Sequence, residues 1–203
     1  MIIVFDYICN RMNVQLLNKK EAIFESTLTL INENGFHGTP MSQIASHANV
    51  ATGTIYHYFA SKDELITELF AHCRVKTNEH IFNVEESLSY KEKFFYIWKR
   101  LVDYYLANKK VFWFVEQFYS SPYYELIQQK KNPSYYGADR LRMFFEEGIN
   151  AGIIRNVSFP TLIALYIGAA TSHVKMVTYG FCKAQKQGRE DLIEIIWNGV
   201  KNQ

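Results

Sequence analysis

The residues best suited to chemistry are concentrated in one run, Ala-Thr-Gly-Thr-Ile-Tyr-His-Tyr-Phe at 51–59. Two threonines, a glycine, two tyrosines and a histidine share about two helical turns, and only Ile55 and Phe59 suit a core. Hydroxyl and ring groups make hydrogen bonds without needing charge, and a glycine lets another molecule come close. Thr52, Gly53 and Thr54 can therefore meet base edges or thymine methyls in a major groove, while Tyr56, His57 and Tyr58 suit phosphate oxygens or bases. Lys62 follows at a helix start, where backbone N–H groups already favour an anion. Catalysis is poorly served: the chain has no GxSxG elbow, phosphate-binding glycine loop or HExxH pair. His72 and Cys73 are neighbours that diverge around a helix, and His80 adds no ligand spacing. No catalytic residue, metal site or cofactor is expected.

Such a run needs support from behind. Apolar and small residues recur with a helical period over 19–34, at Ala22, Ile23, Ser26, Thr27, Leu30 and Ile31, and Gly35 supplies a C′ stop. Thr39 before Pro40 predicts an N-cap with proline at the first helical position, and the helix continues to about His47, burying Ile44 and Ala45. Asn49 tolerates the left-handed turn, Val50 plugs the core, and a third helix covers about 52–59 with Ile55 and Phe59 facing inward. Ser61 and Glu64 have capping-box spacing, so a long fourth helix begins there and runs to about residue 81. Two short helices joined by a tight turn, the second exposing small polar side chains, form a helix-turn-helix whose second helix is the reader.

Beyond it the helical period persists over 90–108, 109–119, 134–150 (stopped at Gly152), 159–179 and 189–201, with a looser passage punctuated by Pro122 and Pro133. The predicted fold is all-α, with about nine helices. It comprises an arm at 1–18, a DNA-binding domain at 19–64 and a larger, ring-rich helical body at 65–203. Met12 precedes the first helical pattern and is the expected translation start.

Of 203 residues, 48% are hydrophobic, which is ample for a core, and the formal net charge of +2 points to neither nucleic acid nor membrane. The local pattern is more informative. Between Lys19 and Lys62 three lysines balance three glutamates, and from Asn34 to Ser61 no side chain is charged. No carboxylate repels phosphate there, so binding through hydroxyls and N–H groups predicts a shallow salt dependence. Cys9, Cys73 and Cys182 show no paired spacing, which fits a reducing cytoplasm. The apolar stretch 159–181 contains His173 and Lys175 and reads as a buried helix, so no membrane partner is expected.

The stretch GFHGTPMSQIASHANVATGTIYHYFASKDEL at 35–65 resembles the DNA-binding unit of the TetR family of transcriptional repressors, with the likeness covering about 19–70. Pro40, Asn49, Ala51 and the pair Ser26–Thr27 depart from the family pattern. The resemblance implies a homodimer on a palindromic operator, released when a small molecule enters the C-terminal body, so that 65–203 is a helical ligand-binding and dimerisation domain. It implies that Thr52, Gly53, Thr54 and His57 approach bases, and that Thr39, Ser42, Tyr56, Tyr58 and Lys62 hold phosphates. The abundance of rings, 14 Tyr and 15 Phe, predicts an apolar, aromatic pocket, with Phe94, Trp98, Tyr105, Trp113, Phe114, Phe118, Tyr136, Phe144 and Tyr166 as lining candidates. The last two helices combine bulky and small residues, making Leu165, Gly168, Ala169, Ile195 and Ile196 candidates for a four-helix dimer interface. A ligand-binding or scaffolding protein of the same fold without a working operator is the alternative.

Overall fold

A computed structural model of the protein describes residues 19–129, 138–182 and 186–202. The proposed arm and start at Met12 lie outside these residues. Those described form ten α-helices and no strand beyond an isolated bridge between Ile154 and Lys201. α1 covers 19–34, and there follow α2 (Met41–His47), α3 (Thr52–Tyr58), α4 (Lys62–Ile81), α5 (Tyr90–Ala107) and α6 (Lys109–Tyr119). α7 (Pro122–Gln129), α8 (Ala138–Asn150), α9 (Phe159–Thr178) and α10 (Lys186–Val200) complete the order. Among the described residues no helix is long and apolar enough to cross a membrane.

α7 replaces the loose passage expected around Pro122. Proline at the first helical position lacks only an N–H that has no intrahelical partner there, so it begins this helix rather than breaking it. The stops behave as their residue types require. Gly35 and Gly152 take φ of +70° and +67°, and Asn49 sits at φ 53° in the turn before α3. Ser61 accepts from Glu64 N at 3.1 Å, while the Glu64 carboxylate reaches one residue further back than expected, to Ala60 N at 2.5 Å. A full capping box, unforeseen from the sequence, starts α5: Ser89 accepts from Glu92 N, and Glu92 accepts from Ser89 N.

Contacts divide the described chain into two compact units, 19–70 with 113–129, and 71–112 with 138–182 and 186–202. In the first, α1 to α3 enclose Ile23, Ile31, Ile44, Ile55 and Phe59, all inaccessible to solvent, and Phe70 stacks on Phe118 with ring centroids 4.0 Å apart. In the second, α5 packs on α9 and α10, and α8 packs on α9. α9 directs Leu162, Tyr166, Ala170 and Val174 inward, a ridge of four-residue steps.

Candidate nucleic-acid interface

The reader, α3, is held by two side chains. Ile55 and Phe59 are both fully buried, with the Phe59 ring 5.5 Å from that of Phe24 on α1. Lys20 lies 5.4 Å from both of those ring centroids and pairs with Glu68 at 2.7 Å, which fastens α1 to α4 over the back of the reader. Ser26 meets His47 Nδ1 at 3.0 Å, and this contact joins α1 to α2. Sequence reasoning missed both His47 and Lys20 as positioning residues, because their partners are 21 and 48 residues away and no periodicity connects them.

With Ile55 and Phe59 turned inward, the remaining residues of α3 must face elsewhere. Thr52, Gly53, Tyr56 and His57 are exposed and Thr54 and Tyr58 are half-buried, while Ser42 on α2 is exposed as well. His57 and Tyr58 meet edge to face at 5.6 Å. Gly53 is informative because it has no internal explanation. A Cβ placed there meets nothing within 4 Å, and its φ lies outside the left-handed range.

Thr39 is a correction. It is fully buried and its hydroxyl donates to Gly35 O at 2.9 Å, so it finishes the turn after α1 and is not placed to hold a phosphate. Nor does it cap α2: Pro40 is the N-cap residue, and its carbonyl accepts from Gln43 N and Ile44 N, both at 3.1 Å. Lys62 is half-buried and donates from Nζ to Phe36 O at 2.5 Å. Partial burial lowers its pKa, against the smaller opposing effect of Asp63 beside it. The amine thus stays within the unit but at its surface, tied to the turn that precedes α2.

The ring-rich C-terminal half is organised differently. Phe94, Trp98, Tyr105 and Tyr166 are core residues, and the polar atoms of Trp98 and Tyr166 are satisfied internally: Trp98 Nε1 donates to Tyr166 O at 2.9 Å and the Tyr166 hydroxyl to Phe94 O at 2.6 Å. Phe114 and Phe118 are also buried, but in the unit that carries the reader, and Trp113 is half-buried there. Tyr136 lies outside the described residues. Of these ring candidates, Phe144 lines a cavity. This space of about 600 Å³ is also lined by Phe82, Ile97 and Met143, with Lys93 and Arg140 among its polar residues. The rings expected to surround a ligand mainly surround one another.

On the outer side of α9 and α10, Leu165 is 45% exposed and Ile195 68%, and Gly168 is also open to solvent. Ala169 is half-buried beside them. Ile196 is a second correction: at 6% exposure it belongs to the core of the chain itself, because it follows Ile195 by 100° around the helix. His173, nearby on α9, has a buried Nε2 without a hydrogen-bond partner, and its pKa is lowered by burial and, less strongly, by Arg189.

Known proteins share this arrangement. The family model described as "Bacterial regulatory proteins, tetR family" matches residues 23–69, and that for the tetracyclin repressor-like C-terminal domain matches 70–202. An HTH-type transcriptional regulator of Haemophilus influenzae is 27% identical over 186 residues, covering 89% of this chain and 95% of that protein. The crystal structure of a TetR family transcription regulator from Marinobacter aquaeolei VT8 has the same fold, with TM-score 0.82 at 22% identity over 95% of this chain and all of the other. The regulator FadR from Bacillus subtilis, solved in complex with stearoyl-CoA, gives TM-score 0.65 at 20% identity, over 89% of this chain and 98% of its own. A reader helix propped by Ile55 and Phe59, joined by family matches on both halves of the chain, places this non-enzymatic DNA-binding protein in the TetR family of transcriptional regulators.

Proposed function

We propose that the chain acts as a homodimeric repressor that holds a palindromic operator and releases it when a small apolar effector binds. Gly53 carries this reading. Glycine in a helix costs about 0.5–1 kcal/mol relative to alanine, and neither packing nor backbone conformation within the unit requires it. A surface that must admit a base edge does require it. The exposed neighbours Thr52 and His57 and half-buried Thr54 supply the groups that would read those edges, and Ser42, Tyr56, Tyr58 and Lys62 those that would hold the backbone.

Dimerisation is supported by the uncovered apolar strip formed by Leu165, Gly168 and Ile195. A two-fold pair of readers must present its helices about 34–36 Å apart, one turn of DNA. α4 begins in the reader's unit and ends in the other without a break, so it is the proposed route by which effector binding alters that spacing. The cavity at Phe82, Ile97, Met143 and Phe144 has an apolar side that suits an apolar chain, and its rim carries both signs of charge, Lys93 and Arg140 with Glu86, Glu146 and Glu147. A long-chain acyl-CoA, the class bound by the FadR relative, is the first effector to try.

Selection from a pool of random duplexes tests the main claim. An inverted repeat with half-sites about one helical turn apart is expected, and Gly53→Ala should fold normally yet lose the selected site. Recovery of no common sequence would favour a ligand-binding or scaffolding role for the same fold.

A further inference from the structure

The unit that carries the reader has a cavity of its own, about 650 Å³. Phe36 and His37 enter it from the turn after α1, Asp63 from the first turn of α4, Gln117 from α6, and Tyr123 and Glu125 from α7. Two features set the chemistry of what this space accepts.

The first is aromatic. Phe36 and Tyr123 both line the cavity, with ring centroids 5.1 Å apart and planes tilted by 48°. Ring faces carry negative potential and attract a cation that has an apolar coat. The second is ionic. Asp63 and Glu125 both line the space, and among the described residues the lining contains no lysine or arginine and neither carboxylate has an ion-pair partner. Lys62, next to Asp63 in the chain, turns its amine to the Phe36 carbonyl. Burial and the charge of Asp63 both push the Tyr123 phenol up, so that carboxylate acts on the same side chain that supplies the ring. An anion would meet two like charges here, and a neutral apolar molecule would gain nothing from either carboxylate.

We propose that this cavity binds a small organic cation with an apolar or aromatic body, an aryl ammonium, its charge toward Asp63 and Glu125 and its flank on the rings of Phe36 and Tyr123. The site is separate from the proposed effector cavity at Phe144. Its tie to regulation rests on the function proposed above: the ring of Phe36 lines the cavity while its carbonyl anchors Lys62, a proposed phosphate contact. Occupancy and DNA grip then share a residue, and linkage makes their effects on one another reciprocal.

Titration calorimetry of the full chain with benzyltrimethylammonium, without DNA, tests the site. One saturable site per chain is expected, with none for phenylmethanesulfonate. The double variant Asp63→Asn, Glu125→Gln, both at exposed positions, should keep its melting temperature and bind the cation about three- to tenfold more weakly. Equal binding of the sulfonate, undiminished binding by the double variant, or no saturable heat would overturn the proposal. Because no DNA is present, cation binding by a chain that selects no inverted repeat would sink the proposed function and leave the site standing.

Discussion

The reader's surface and the C-terminal core use aromatic and hydroxyl residues for opposite ends. Around Phe94, Trp98 and Tyr166, each ring fills space left by another and the polar atoms of Trp98 and Tyr166 have internal partners, so packing accounts for these residue types. On α3 the exposed Thr52, Gly53, Tyr56 and His57 are left over once Ile55 and Phe59 have attached the helix. Function is best sought in residues that the fold does not need, and abundance of a residue type is a poor guide to where they are.

The sharpest way to break this contrast is to mutate both faces of α3. Phe59→Ala should destabilise the protein by about 3–5 kcal/mol in urea denaturation, since it empties a fully buried site. His57→Ala should leave stability within about 0.5 kcal/mol of the parent, yet lower discrimination between operator and random DNA by about 1–3 kcal/mol. Lys62→Ala should instead weaken both DNAs alike and reduce the salt slope by about one. A large loss of stability in His57→Ala would show that α3 has no spare face.

In the C-terminal unit the contrast predicts the reverse, a residue explained wholly by packing. A Cβ on Gly148 would lie 2.3 Å from Tyr90 Cζ and Oη, and the Tyr90 hydroxyl is committed to Phe144 O at 2.9 Å. Gly148→Ala should therefore cost about 1–3 kcal/mol by overpacking, with operator affinity unchanged wherever the variant remains folded. An equally stable variant would mean the core there is looser than its contacts imply.

The smallest expected effect lies at the start of α5. The Ser89 hydroxyl and, less strongly, its backbone N–H hold the Glu92 carboxyl below the usual carboxylate range. Because the folded-state value is depressed, its contribution is complete above the ordinary glutamate pKa and is lost as pH falls through the depressed value. Thermal melts between neutral and acid pH should show a slightly weaker pH dependence in Glu92→Gln than in the parent.

Much of the reader was legible in advance, and for local reasons. Ile55 and Phe59 are one helical turn apart, Gly35 and Asn49 occupy backbone states that few other residues accept, and Ser61 caps a helix within four residues of itself. Thr39 was misread because the helix start falls one residue later, with Pro40 as the N-cap, and the Thr39 hydroxyl donates back to Gly35 O. α7 was hidden because proline marks a loop and a helix's first turn equally well. The pocket candidates were ambiguous for another reason: burial and pocket lining favour the same aromatic residues, and composition does not distinguish a ring facing a ring from a ring facing a space.

Helical periods, turn residues and the uncharged run from Asn34 to Ser61 are properties of neighbours in the chain, so local pattern was enough to give the all-helical class and the exposed face of α3. Which rings fill the core, which isoleucine of the pair at 195–196 is open, and that Phe36, Asp63 and Glu125 share a cavity were decided by tertiary structure alone. Those contacts join residues tens of positions apart, and the side-chain volumes and hydrogen-bond partners that select them leave no periodic mark on the chain.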